Sequence, residues 1–223
     1  MSYSTLNIEQ IQFKQKTLRE GVFDALSFIG VQNLTDFDLK REFFSNPRPG
    51  RHDARHIYRV MLASALIALR MNEPRRGLLA FCGAFIHDLA QERDGEGKWH
   101  GPKAAKEKWD MFNSIWDRYN LSEDERSKVR AAVSHHSGGG NSGFIDDEIV
   151  NQILHDADSL DRCRFRQHGR MNWSDLSLPL LTWSDGKPSQ ELKYLIGETE
   201  AICGYTKHLN SFLPFKEFIS YIR

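Results

Sequence analysis

The chain is short of cysteine: Cys82, Cys163 and Cys203 are its only three, far apart in 223 residues and never in a Cys-x-x-Cys spacing. That argues against a disulfide frame or a thiolate metal site and for reduced thiols. Net charge is lacking too, since 30 Lys+Arg balance 30 Asp+Glu. No global basic field exists for an extended nucleic-acid surface, so an anionic ligand has to be met by local groups. No apolar run approaches the ~18 residues of a membrane span, and the opening MSYSTLNIEQIQFKQ has no charged segment followed by an apolar one. A cytoplasmic address is the expectation. Strand-like alternation of Val, Ile and Thr is almost absent as well. What is present is 40% hydrophobic and 11% aromatic residues, enough for one folded core without disulfides.

Apolar residues recur at three- and four-residue spacing from end to end, which predicts an all-α fold. A helix is expected over 7–28, along Ile8, Ile11, Leu18, Val22 and Leu26, and a shorter one over 34–44, before the turn Asn46-Pro47-Arg48-Pro49-Gly50. Two core helices follow. One carries Ile57, Val60, Met61, Ser64 and Ala68 to about Arg70; the next opens at Pro74 and carries Leu78, Leu79, Phe81, Cys82 and Phe85 to His87-Asp88. After the polar stretch 91–98 a helix is expected over 102–119. Ser122 and Glu125 then form a capping box for a helix carrying Val129, Ala132 and Val133 to His135-His136. Helices are expected over 146–166, 190–209 and 215–222, with an irregular Trp/Ser/Pro stretch at 173–188. The helix over 7–28 is a candidate to pack on the domain or on a second copy, as in a homodimer.

The residues that end or interrupt these helices are chemically uniform: His56, His87-Asp88, His100, His135-His136 and Asp158. All are types that ligate divalent metals, and because no single helix can surround an ion, convergence from several helix ends is the geometry required. Neighbouring side chains on a helix diverge by ~100°, so the Asp of a His-Asp pair can lie between two ions while the His binds one. Three aspartates compete for the last position. Stepping from Val150, the apolar stripe of Ile153, Leu154, Ala157 and Leu160 spans about 280° to 40°, with Asp158 at about 80°, Asp161 at about 20° and Asp156 at about 240°. Periodicity sets Asp156 aside and leaves Asp158 and Asp161 open.

His56-Ile57-Tyr58-Arg59-Val60, then Ala84-Phe85-Ile86-His87-Asp88-Leu89, then Ala157-Asp158-Ser159-Leu160-Asp161 resemble, in order and helix context, the His, His-Asp, Asp elements of the HD superfamily of metal-dependent phosphohydrolases. The likeness spans about 56–162. His100-Gly101 and His135-His136 are similar to the additional histidines of its binuclear branch. The resemblance implies one HD-type helical bundle over 1–223, with a core about 51–170, an N-terminal helical preface 1–48 and C-terminal helices about 189–223. It picks Asp158 as the last ligand. By it, His56, His87, Asp88 and Asp158 hold one divalent ion, and Asp88 bridges to a second held by His100 and His135; Mn, Fe, Co, Ni, Zn and Mg are the candidates. His136 would be a substrate group, a group behind the ligands or a ligand of a third ion. His52, four residues before His56 and on the same helix face, stands where trinuclear members carry an acidic ligand.

The activity implied is hydrolysis of a phosphomonoester or phosphodiester, a small phosphorylated substrate such as a nucleotide, by metal-activated water. Asp88, His136, Glu92 and Arg59 are the candidate catalytic groups. Arg59 and Arg162, Arg164, Arg166 and Arg170 are candidates for phosphate contacts. Gln91 stands where the Gly-Lys variants carry Lys, and the Gly-Tyr-Pro motif of the cyclic-dinucleotide phosphodiesterases is absent. The alternatives are a diiron oxygenase on the same ligands, whose relatives usually carry a Lys at the Gln91 position, and a non-catalytic nucleotide-binding module. Gly138–Gly143 reads as a backbone nest, a lid or a plain helix stop. His155, His168 and His208 read as ordinary polar residues. Trp99, Trp109, Trp116, Trp173 and Trp183 read as packing aromatics and not as base-stacking platforms.

Overall fold

The computed structural model describes residues 17–46, 50–93, 99–136, 148–162, 176–178, 181, 183–184 and 187–223. The fold is all-α: nine α-helices occur among the described residues, beside a ladder of two-residue strands pairing 183–184 with 187–188. Two helices form its centre, α2 (Ala54–Met71) and α3 (Pro74–Ile86). Asp53 caps α2 by accepting from the backbone N–H groups of Arg55 and His56. Asn72, left-handed at φ 57°, ends it, and Pro74 opens α3 as expected. The hairpin is close-packed. A Cβ on Gly77 would stand 2.3 Å from Ala68 Cβ and 2.8 Å from Ile29 Cγ2, so only glycine admits this approach.

From Ile57 to Ala68 every residue of α2 is buried, because neighbours cover all its faces: α1 (Leu18–Phe28), α3, α7 (Glu148–Asp161) and α8 (Gln190–Thr206). At roughly 1.5–3 kcal/mol for each large apolar side chain buried, this helix carries much of the fold's stability. Gly83 marks where three helices meet. A Cβ there would lie 3.2 Å from Leu154 of α7 and 3.5 Å from Val133 of α6 (Glu123–His135). One turn beyond these contacts come His87, Asp158 and His136, so α3, α6 and α7 deliver their C-terminal ends to one place. The first turn of α2 and the start of α4 (His100–Glu107) arrive there from the other side.

Several expected boundaries shift, each for a tertiary reason. The expected helix 7–28 begins at Leu18, where Thr17 and Glu20 close a capping box; residues 7–16 lie outside the described residues. The expected helix 34–44 is two 3-10 turns, Leu34–Phe37 and Arg41–Phe43. Its polar groups are drawn elsewhere: the Asn33 side chain accepts from Thr35 N–H, Leu39 N–H donates to the Tyr58 hydroxyl at 2.8 Å, and Asp38 accepts from Phe215 N–H at 2.7 Å. The expected helix 102–119 divides into α4, a 3-10 turn Trp109–Phe112 and α5 (Asn113–Arg118). Trp109 and Trp116 stack at 4.8 Å inside the core, and the Trp116 indole N–H donates to the Trp109 carbonyl. The Ser122–Glu125 capping box forms as expected. The last helices are shorter than expected, α8 ending at Thr206 and α9 spanning Phe215–Ser220. No helix among the described residues is long and apolar enough to cross a membrane.

Candidate metal centre

His56 sits in the first turn of α2, His87 and Asp88 follow the last turn of α3, and Asp158 lies in the last turn of α7. His56, His87 and Asp88 are almost wholly buried. His56 Nε2 is 3.3 Å from His87 Nε2, 3.1 Å from Asp88 Oδ2 and 3.3 Å from Asp158 Oδ1. His87 Nε2 is 3.3 Å from Asp88 Oδ2 and 4.0 Å from Asp158 Oδ1.

The opposite ring nitrogens define what this cluster lacks. His56 Nδ1 is 2.6 Å from Asp161 Oδ2 and His87 Nδ1 is 2.7 Å from the Ala84 carbonyl; both partners only accept, so both Nδ1 atoms carry the hydrogen. In the neutral rings the two Nε2 atoms are therefore lone pairs, facing each other and two carboxylate oxygens. Four acceptors at such distances repel unless a cation lies among them. Ligand atoms about 2.1 Å from one ion stand about 3.0 Å apart at right angles and about 3.4 Å apart at tetrahedral angles, so the spacing suits a transition-metal or zinc ion.

A second cluster lies on the other oxygen of Asp88. His100 Nε2 is 3.2 Å and His136 Nε2 3.7 Å from Asp88 Oδ1, and the two Nε2 atoms are 3.0 Å apart. His136 Nδ1 donates to the Val133 carbonyl at 2.7 Å, which again leaves Nε2 as a lone pair. Asp88 Oδ1 is buried without a hydrogen bond of ordinary geometry. Gly101 makes the approach feasible: a Cβ there would be 2.5 Å from the Val133 carbonyl oxygen and 3.2 Å from the His136 ring. Burial by itself would raise the Asp88 and Asp158 pKa values, but in the metal-free protein the surrounding imidazoles, where they carry a proton on the facing nitrogen, hold both carboxyls well below the usual range. Burial lowers the pKa of His136, keeping the ring in the neutral form a metal requires.

Several expected residues have other positions. His135, expected as a ligand, bonds its Nδ1 to the Ala131 carbonyl and is in none of the His/Asp groups, whereas the adjacent His136 is. The signal was in the sequence. Counting from Val129, position 136 falls at about 340° with the buried Ala132 and Val133, and position 135 at about 240°. Arg59, expected to meet phosphate, is buried against Asp161, with Nε 2.6 Å from Oδ1. Asp161 therefore braces His56, a role beyond the reach of helical spacing. Glu92 stands on the surface, ion-paired with Lys103, which lowers its pKa. Asp156, set aside as a ligand, is nonetheless fully buried and accepts the Ser177 N–H, the Leu178 N–H and the Ser177 hydroxyl. His155 is buried beside it. His52 Nδ1 lies 2.6 Å from Asp88 Oδ2. Arg162 is half exposed and 4.0 Å from Asp158 Oδ2. Arg164, Arg166, Arg170, His168 and Gly138–Gly143 lie outside the described residues.

Buried imidazoles and carboxylates, brought to one point by the ends of five helices, make this an α-helical protein with groups able to hold divalent metal. Residues 53–163 match the family model of the HD domain, a stretch that contains every residue of both clusters around Asp88. Through that segment the chain belongs to the HD-domain family, whose members bind divalent metals and include metal-dependent phosphohydrolases, oxygenases and non-catalytic modules. No curated protein and no solved structure matches the chain.

Proposed function

We propose that this chain is a cytoplasmic metal-dependent phosphohydrolase that holds two divalent cations on either side of Asp88. Its substrate is a small phosphomonoester or phosphodiester, with a nucleotide as the class carried over from the family likeness. The observation that carries this reading is the division of Asp88: Oδ2 faces His56 and His87, and Oδ1 faces His100 and His136. His56, His87, Asp88 and Asp158 would hold one ion; Asp88, His100 and His136 would hold the other.

Cations bound there supply an acidified water and positive charge for the phosphoryl oxygens. The chain's own groups do the rest. Asp161, held by Arg59, fixes the His56 ring so that Nε2 faces inward. His52 Nδ1–H donates to Asp88 Oδ2 and keeps that carboxylate anionic. The half-exposed Arg162 guanidinium, next to Asp158 and free to turn outward, meets the phosphate.

Elemental analysis of the wild type beside His100→Ala and Asp88→Asn, with a phosphoester screen in each candidate metal, tests the reading. Near two ions is expected in the wild type, about one without His100 and almost none without Asp88. A wild type that holds only one ion, and keeps it in His100→Ala, sinks the second site. No phosphate release in any metal, with oxygen uptake by the iron-loaded protein, moves the chain to the oxygenases.

A further inference from the structure

Trp99 departs from the expectation that the tryptophans serve packing. Trp109 and Trp116 are 1% and 0% exposed and stack on each other, whereas the Trp99 indole is 77% exposed. It is more exposed than any other large apolar side chain among the described residues. Its position is specific as well. Trp99 is the N-cap of α4, and the next residue is His100, whose Nε2 lies 3.2 Å from Asp88 Oδ1. The inner face of α4 is taken by His100, Gly101 and Ala104, all buried, with Gly101 against the Val133 carbonyl and the His136 ring. Successive helical positions diverge by ~100°, so while His100 turns in to the metal centre its neighbour is left in solvent. Lys103, four positions on and so on the same side of α4, is ion-paired with Glu92.

We propose that Trp99 is a stacking platform for the aromatic base of the substrate, and so a specificity-determining residue at the mouth of the metal centre. The proposal rests on the phosphohydrolase reading for the substrate's phosphate end and makes nucleotides its class. An indole one residue from a ligand of the phosphate-binding metals is within a nucleotide's length of them, and a flat, water-exposed π-face binds any base without selecting among them. Site preference should therefore be for the presence of a base and not for its identity.

Two measurements on the full chain test this with adenosine 5′-monophosphate and the base-less ribose 5-phosphate, using wild type, Trp99→Ala and Trp99→Phe. The first is quenching of tryptophan fluorescence, which needs no turnover. Saturable quenching by the nucleotide but not by the sugar phosphate is expected in the wild type, and its loss in both variants. The second is steady-state kinetics: Trp99→Ala should reduce the preference for the nucleotide over the sugar phosphate, as the ratio of kcat/KM values, about tenfold and through KM. Trp99→Phe should restore most of it. Quenching that survives in Trp99→Ala, a preference unchanged by that substitution, or a change of oligomeric state in its place overturns the proposal. If the wild type hydrolyses neither compound, the phosphomonoester half of the phosphohydrolase reading fails by itself, and the quenching experiment still decides whether Trp99 binds a base.

Discussion

On one side of Asp88 the clustered rings come from helices of 18 and 13 residues in the centre of the core, and each is braced from behind, His56 by the Asp161–Arg59 pair and His87 by the Ala84 carbonyl. On the other side one ring opens an eight-residue helix, and the pair of rings meets only because Gly101 has no side chain. The first half is built by the same packing that folds the protein; the second depends on how α4 docks against α6. Pre-organised ligands bind more tightly than ligands that must be brought together. Two cations should accordingly bind with separable affinities, the His56 side filling first.

Removing the shared group should have the largest effect: Asp88→Asn is expected to abolish both metal sites and to lower turnover roughly a thousandfold. An ion retained at either side, seen by elemental analysis, would mean that the halves do not share this carboxylate. Asp161→Asn should act on one half, weakening the tighter ion about 10–100-fold. Titration with Co(II) followed by its absorption reads the two sites separately, and equal weakening of both would erase the distinction. Gly101→Ala should act on the other half, weakening the second ion and costing about 1–3 kcal/mol of stability through overpacking against Val133 and His136.

Acid should also separate groups in the metal-free protein. Burial lowers the folded-state pKa of His136 from its ordinary 6.5. The unfolded chain therefore takes up this proton more readily, and the stability His136 contributes, full above about pH 6.5, is lost as pH falls below that value. Asp88 and Asp158 are depressed carboxyls whose contribution is present above about pH 4 and is lost only in stronger acid. Thermal melts should fall in two stages, and His136→Gln should flatten the earlier one between about pH 7 and pH 5. The smallest effect is expected at Glu92, which is exposed and ion-paired with Lys103. Glu92→Gln should leave melting temperature and turnover close to those of the wild type.

The candidates His56, His87, Asp88, His100 and Asp158, which the fold brings together, were legible because each lies at or near a helix end, a property local to the chain. The adjacent pair His135-His136 was legible too, but the position chosen from the family pattern is the one that turns away. Helical phase from Val129 would have selected His136. The placement of Arg59 was not legible for a different reason: its partner is Asp161, 102 positions along the chain, and no local spacing reports on it.

Periodicity, capping and the order of ligand-competent residues depend on contacts within a turn or two, and they were sufficient for an all-α fold, for the helices that became α2 and α3, and for a set of residues able to hold metal. Docking decided the remainder. Asp161 reaches His56 across 105 residues, α4 approaches α6 within the width of a missing methyl group, and Trp99 stays in water while Trp109 goes inside. Each of these depends on where whole helices come to rest against one another, because a side chain's partner is set by the packed surface opposite it and not by its neighbours in the chain.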